Sequence, residues 1–195
     1  MLTAEQNERL TRTGPGTPGG RLLRRYWQPM CLSADLATRA PMPIKIMGEE
    51  LVLFRDDDGR VGMLGLHCPH RGADLSYGRV EDGGLRCVYH GWLFDVTGQC
   101  REQPAEPADR QWCDKVRHLA YPCRESGGLV FAYMGEGEPP VLPELECLTV
   151  PDSHRFTWRF KERCNWLQAL EGDIDPFHLS FLHRAMVNRS GSGQG

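Results

Sequence analysis

Two short segments of this chain each carry one thiol and one imidazole. They are Cys68-Pro-His70 and Cys87-Val-Tyr-His90, with residues 71–86 between them. Each pair belongs on a tight loop, and a fold that uses both must bring the two loops together. The surrounding sequence reads as antiparallel β structure. From about 44 to 134, short apolar runs are divided by turn signals: 44–47, 51–54, 61–66, 85–88, 93–96, 116–122 and 129–134. Asp56-Asp-Asp-Gly59, Thr97-Gly98 and Ser126-Gly-Gly128 are the clearest turns between them. Residues 101–115, with Pro104 and Pro107, read as loop.

Together the two loops offer two sulfurs and two nitrogens. A Cys2His2 zinc site uses the same inventory, but zinc fingers usually order both cysteines before both histidines. The interleaved order suits a 2Fe–2S cluster with the cysteines on one iron and the histidines on the other. That is the Rieske arrangement, in which histidine ligation raises the reduction potential above that of an all-cysteine cluster. Cys68, His70, Cys87 and His90 are therefore the candidate cluster ligands. Gly72 and Gly91 follow the loop histidines closely, where backbone must wrap a bound group without a Cβ. Trp92 is placed to shield it. The bland alternative is four unrelated core residues. His67, next to Cys68, is a poor fifth candidate, because adjacent residues on an extended loop point apart. His118 and His154 have no partner pattern, and a core or surface role is expected of both.

Composition excludes other classes. The 195 residues carry 23 Lys+Arg against 26 Asp+Glu, a net charge of -3, and so lack the basic footprint of a nucleic-acid binder. No run approaches the ~18 apolar residues of a membrane span. The opening Met-Leu-Thr-Ala-Glu-Gln-Asn-Glu has neither a basic nor an apolar signal region, so a reducing, cytoplasmic setting is expected. In that setting Cys31, Cys100, Cys113, Cys123, Cys147 and Cys164 read as small hydrophobes without a cluster role.

Outside the β region, residues 3–11 predict a helix capped by Thr3 with Gln6, and 21–26 a second helical stretch, within an N-terminal helical segment 1–43. Gly135-Glu-Gly-Glu-Pro-Pro-Val-Leu-Pro143 is linker-like, which sets domain limits of 44–140 and 141–195. Beyond it, 155–161 alternates aromatic and polar residues and predicts a half-buried strand. Residues 165–183 predict a helix interrupted by Pro176. Within it lies Asp175-x-x-His178-x4-His183. Asp175 and His178 share a helical face, where a carboxylate can orient the imidazole. His178 and His183 lie about 140° apart on an ideal helix, so they converge on a metal only if the helix is broken; otherwise they are solvated histidines.

The motifs Cys-Pro-His-Arg-Gly-Ala (68–73) and Cys-Val-Tyr-His-Gly-Trp (87–92) resemble the Rieske domain of ring-hydroxylating oxygenase large (α) subunits. Respiratory Rieske proteins carry an extra disulfide where this chain has Ala73 and Tyr89. The stretch 165–183 is similar to the same oxygenases, and 14–19, 23–29 and 165–171 to their phthalate dioxygenase-like group. The resemblance implies a mainly β Rieske domain, an antiparallel β-sandwich with two cluster-binding loops, followed by the start of an α+β catalytic domain.

The resemblance also implies roles. His178 and His183 would be ligands of a mononuclear non-haem Fe(II), and Asp175 a bridge to His90 of the partner subunit. Glu171 falls where a polar residue often lies near that iron. The assembly implied is a head-to-tail homotrimer, or a multiple of it. Its implied activity is oxygenation of an aromatic carboxylate with O2, with electrons drawn from an NADH-dependent flavin and iron–sulfur reductase through the Rieske 2Fe–2S cluster to the mononuclear iron. O-demethylation or monooxygenation by the same group is an alternative, and a Rieske ferredoxin-like carrier a third reading. The third iron ligand of these enzymes, a far-downstream aspartate, has no counterpart here. Asp173 is a poor substitute, so the resemblance is to the N-terminal part of a longer oxygenase, inactive alone.

Overall fold

The computed structural model describes residues 2–184, which fall into two compact units: 12–159, and the described remainder of 2–11 with 160–184. The first unit is built of eleven strands, β1 (Trp27–Leu32), β2 (Met42–Ile46), β3 (Glu49–Arg55), β4 (Val61–Gly65), β5 (Arg79–Glu81), β6 (Gly84–Arg86), β7 (Leu93–Asp95), β8 (Cys100–Glu102), β9 (Ala120–Tyr121), β10 (Cys123–Ser126) and β11 (Leu129–Tyr133). They form three antiparallel sheets, ordered β1-β11-β10, β2-β3-β4-β9 and β5-β6-β7-β8.

The run Leu51-Val-Leu-Phe54 shows why the middle sheet sits where it does. All four residues are 0% exposed. Leu51 and Leu53 join one core, with Met30, Leu36, Met63 and Val130, while Val52 and Phe54 join another, with Leu64, Leu75, Leu85, Trp92 and Phe94. A strand whose two faces are both apolar has to lie between two layers. The expected mainly β, antiparallel architecture is the one observed.

The turns follow their chemistry. Met47 and Gly48 both have positive φ and close the β2–β3 hairpin between Ile46 and Glu49. Gly127 and Gly128, also at positive φ, close β10 onto β11.

Four strands were not expected. β1 lies where only a helical segment was anticipated; the helix, Pro18–Leu23, ends earlier and is capped by Thr17. Strands β5, β8 and β10 are short and mostly polar, so their apolar pattern is weak. Most of 116–119 lies outside strands, with only Ala120–Tyr121 pairing onto β4. The strand anticipated at 155–161 does not form, and Phe156 is 87% exposed. Alternation becomes a strand only when a neighbour supplies the ladder hydrogen bonds, and 155–161 pairs with no strand among the described residues.

His118 takes the core role. It is 9% exposed, its ring lies 5.3 Å from Phe94, and its Nε2 is 2.8 Å from the Gly65 carbonyl oxygen. Burial pushes its pKa below the ordinary value, and the Gly65 contact opposes that only in part. The unfolded chain therefore takes up this proton near pH 6.5 while the folded chain resists it. The stability this provides is complete above that pH and is lost as pH falls, by at most about 1.4 kcal/mol per unit. Urea midpoints at pH 7.5 and 5.5 should differ less in His118→Phe than in wild type; an identical difference would exclude the effect.

In the second unit, Ala4–Thr11 is the expected N-terminal helix. Gln6 N–H donates to Thr3 Oγ1, and Thr3 N–H donates back to Gln6 Oε1. The 165–183 region is two helices, Trp166–Ile174 and Phe177–Phe181, parted at Asp175-Pro176. Asn165 caps the first through Gln168 N–H. Among the described residues no helix is long and apolar enough to cross a membrane.

Candidate metal centre

The two Cys/His loops leave the ends of strands and are built alike. In the first, which follows β4, Cys68 N–H donates to the Ala73 carbonyl at 2.8 Å, and Gly72 N–H donates to the Cys68 carbonyl at 2.8 Å. In the second, between β6 and β7, Cys87 N–H donates to the Trp92 carbonyl at 2.9 Å, and Gly91 N–H donates to the Cys87 carbonyl at 3.1 Å. Each loop turns at a glycine four positions after its cysteine, with φ of 69° at Gly72 and 75° at Gly91. L side chains avoid that region, so the two glycines are what the turns require. At Gly91 space matters too, because a Cβ would lie 2.7 Å from Pro104 Cγ.

This doubled loop places like groups together. Cys68 and Cys87 are each 2% exposed and belong to the same buried cluster. His70 and His90 meet edge to face, centroids 4.6 Å apart. Trp92 lies flat against His70 at 4.5 Å and 5°, and Tyr89 packs on His90 at 4.0 Å. Burial, reinforced by the Cys87 thiol, pushes the Cys68 thiol up, so thiolate at this spot needs a cation to share. Desolvation first, then His90 and Arg71, lowers the His70 pKa and keeps its ring neutral with a lone pair to give.

The donor set fits an iron–sulfur group better than one ion. Among the described residues, no three His, Cys, Asp or Glu side chains converge on a single metal position. The four donors come instead as a thiol pair and an imidazole pair. A second observation agrees: Trp92 Nε1, buried beside His70, has no hydrogen-bond partner among the described residues. His67 turns outward, 3.7 Å from Glu50 Oε2.

Arg86 stands outside every motif named above. Its side chain is 10% exposed and holds the second loop directly: Nη1 donates to the Gly91 carbonyl at 2.9 Å and lies 2.8 Å from Glu102 Oε2. Nη2 donates to Asp82 at 2.8 Å, and Nε donates to Glu81. The available signal was a guanidinium inside the apolar run Leu85-Arg-Cys-Val88, a place where a charge must be paired.

The second unit holds the other motif. Asp175 Oδ1 accepts from Phe177 N–H at 2.9 Å, while its Oδ2 lies 3.6 Å from His178 Nδ1. The His178 and His183 rings are 5.3 Å apart, edge to face. Pro176 does not bring them together, since it precedes both. Helix Phe177–Phe181 ends before His183, with Leu182 N–H donating to the His178 carbonyl at 2.7 Å. That ending frees His183 from the five-residue helical offset. Glu171 lies in the preceding helix and is exposed.

Residues 26–122 match the Rieske 2Fe-2S domain. This chain is a member of the Rieske family. Over 187 residues it is 49% identical to the 5,5'-dehydrodivanillate O-demethylase oxygenase subunit of Sphingobium sp., covering 94% of this chain and 44% of that protein. It is 44% identical over 191 residues to the phthalate 4,5-dioxygenase oxygenase subunit of Pseudomonas putida, covering 94% and 42%. Among solved structures it resembles dicamba monooxygenase bound to dicamba, with 30% identity and a TM-score of 0.73 over 84% of this chain and 49% of that one. The Rieske chain thus groups with oxygenase subunits and spans less than half the length of the relatives it matches.

Proposed function

We propose that this chain forms the Rieske-bearing part of the oxygenase component of an aromatic-acid ring-hydroxylating system of the phthalate 4,5-dioxygenase kind. The observation that carries this reading is the pair of equivalent loops, with two thiols buried in one cluster and two imidazoles in ring contact. Cys68, Cys87, His70 and His90 are the cluster ligands in this reading. The Rieske cluster, when bound, supplies one-electron transfer at a potential raised by its histidine ligands. The chain's own residues fix the imidazole orientations through Trp92 and Tyr89 and brace the second loop through Arg86.

His178 and His183 are assigned to a mononuclear non-haem iron, and Asp175 to the link with His90 of the partner subunit. In this reading the Rieske domain takes in β1 as well as 44–140, 141–195 begins the catalytic domain, and the assembly is a cytoplasmic homotrimer or a multiple of it. Electrons come from a partner electron-transfer protein, an NADH-dependent flavin and iron–sulfur reductase, and the substrate is an aromatic carboxylate together with O2. O-demethylation is a second reading, favoured by the 49% identity to the demethylase subunit. A carrier such as a ferredoxin has no use for the paired His178 and His183.

Iron and acid-labile sulfide analysis tests the assignment: two irons with sulfide establish the cluster, and a third iron establishes the mononuclear site. Iron without sulfide, or zinc, would exclude the cluster. In an oxygenase component that contains this part, Asp175→Asn should keep the visible spectrum while substrate-coupled electron consumption falls by about 100-fold, at the upper end for groups that act behind a metal ligand. Normal coupled turnover in that variant would remove Asp175 from the electron path.

A further inference from the structure

Trp92 is held from two sides and carries a polar atom that the packing alone does not need. The indole is 4% exposed, stacks on His70 at 4.5 Å and 5°, and meets Phe94 at 6.4 Å. Phenylalanine would serve both contacts. Tryptophan adds a buried Nε1–H, and this donor has no acceptor among the described residues. Two other buried side-chain atoms share that condition, Arg24 Nε and Gln103 Nε2. Each belongs to a side chain anchored elsewhere: Arg24 on Glu49 and the Met47 carbonyl, Gln103 through Oε1 on Trp112 N–H. Trp92 has stacking alone. Buried donors are nearly always paired, and an unpaired one is costly.

We infer that Trp92 Nε1–H donates a hydrogen bond to a sulfur of the 2Fe–2S group held by Cys68, Cys87, His70 and His90, and thereby raises its reduction potential. This rests on the Rieske reading above. The sulfurs carry more negative charge after one-electron reduction, so a fixed donor stabilises the reduced state more than the oxidised one. The parallel stack on His70 holds the indole in place and spares the bond the entropy of ordering a mobile side chain.

The test uses the full 195-residue chain reconstituted with iron and sulfide. Its potential is titrated with dithionite at one pH and followed by visible absorbance. Trp92→Phe keeps an aromatic ring against His70 and removes only the donor. The loaded variant should keep its absorption bands, while the ratio of reduced to oxidised protein at a fixed solution potential falls about tenfold. For a one-electron couple that is a midpoint lower by about 59 mV.

A second measurement holds even if the variant does not load. Wild type labelled with 15N-tryptophan and reduced should show hyperfine coupling from an indole nitrogen in pulsed EPR. Trp112→Phe, at a half-exposed position, should retain that coupling. A midpoint unchanged or raised in loaded Trp92→Phe overturns the inference, as does the absence of nitrogen coupling in wild type. Wild type without 2Fe–2S absorption overturns the Rieske reading itself, and the inference with it, so the two failures are told apart by the first spectrum.

Discussion

Cys87→Ser is expected to leave the chain without iron and sulfide and without visible absorption. The side chain is 2% exposed, and its backbone closes the second loop through Trp92 and Gly91. Serine fills nearly the same space and leaves both of those backbone bonds in place. What changes is the donor atom, from a soft sulfur that suits iron–sulfur chemistry to a hard hydroxyl that does not. A group bound only by the folded state stabilises it by an amount set by its concentration relative to its dissociation constant, about 4 kcal/mol at a thousandfold excess. A chain of this length responds by roughly 2–4 °C per kcal/mol, so the thermal midpoint of the reconstituted protein should drop by about 10 °C towards that of the metal-free wild type. Cys147→Ser is the control, because Cys147 is exposed and remote in sequence from both loops. Should Cys87→Ser load iron and sulfide at wild-type stoichiometry with unchanged absorption, Cys87 is no ligand.

That experiment targets the part of the chain most legible in its sequence. Ligand spacing and turn chemistry are local properties, so the loops at 68–72 and 87–91 and the hairpin at Gly127-Gly128 can be read without knowing the fold, whereas the turn at Met47-Gly48 takes in a methionine that reads as the end of an apolar run. Strands β5, β8 and β10 could not be, because three or four mostly polar residues become strands only when a neighbour presents an edge. The reverse error occurs at 155–161, where strict alternation pairs with no strand among the described residues. The approach of His178 to His183 was visible as a motif but not as geometry. It depends on a helix that stops at Phe181, and no proline, glycine or capping residue marks that stop. Arg86 shows the same limit from the other side. Its three carboxylate partners lie within sixteen positions of it, yet only the folding of β5, β6 and β8 aims them at one guanidinium.

Arg86→Met should destabilise the fold by about 2–3 kcal/mol and release the reconstituted group several-fold faster. Methionine replaces the aliphatic stem but none of the donors. The Gly91 carbonyl then loses its 2.9 Å partner inside the loop that carries His90, and for this half-buried acceptor the loss falls within the about 1–3 kcal/mol that a buried one costs. The three carboxylates add less than a fully buried set would, because Glu81, Asp82 and Glu102 are 36%, 64% and 49% exposed and regain water when the guanidinium leaves. Removing one partner of a fully buried pair costs 3–5 kcal/mol, which bounds the effect from above. Arg86→Lys separates charge from geometry. Lysine restores a cation for the carboxylates but lacks the planar fork that reaches Gly91 and the acids together. It should therefore recover the smaller, electrostatic share of the urea midpoint and leave the release rate close to that of Arg86→Met. If lysine restored the release rate fully, the Gly91 contact would have no part in holding the second loop, and Arg86 would act on this site only as a positive charge.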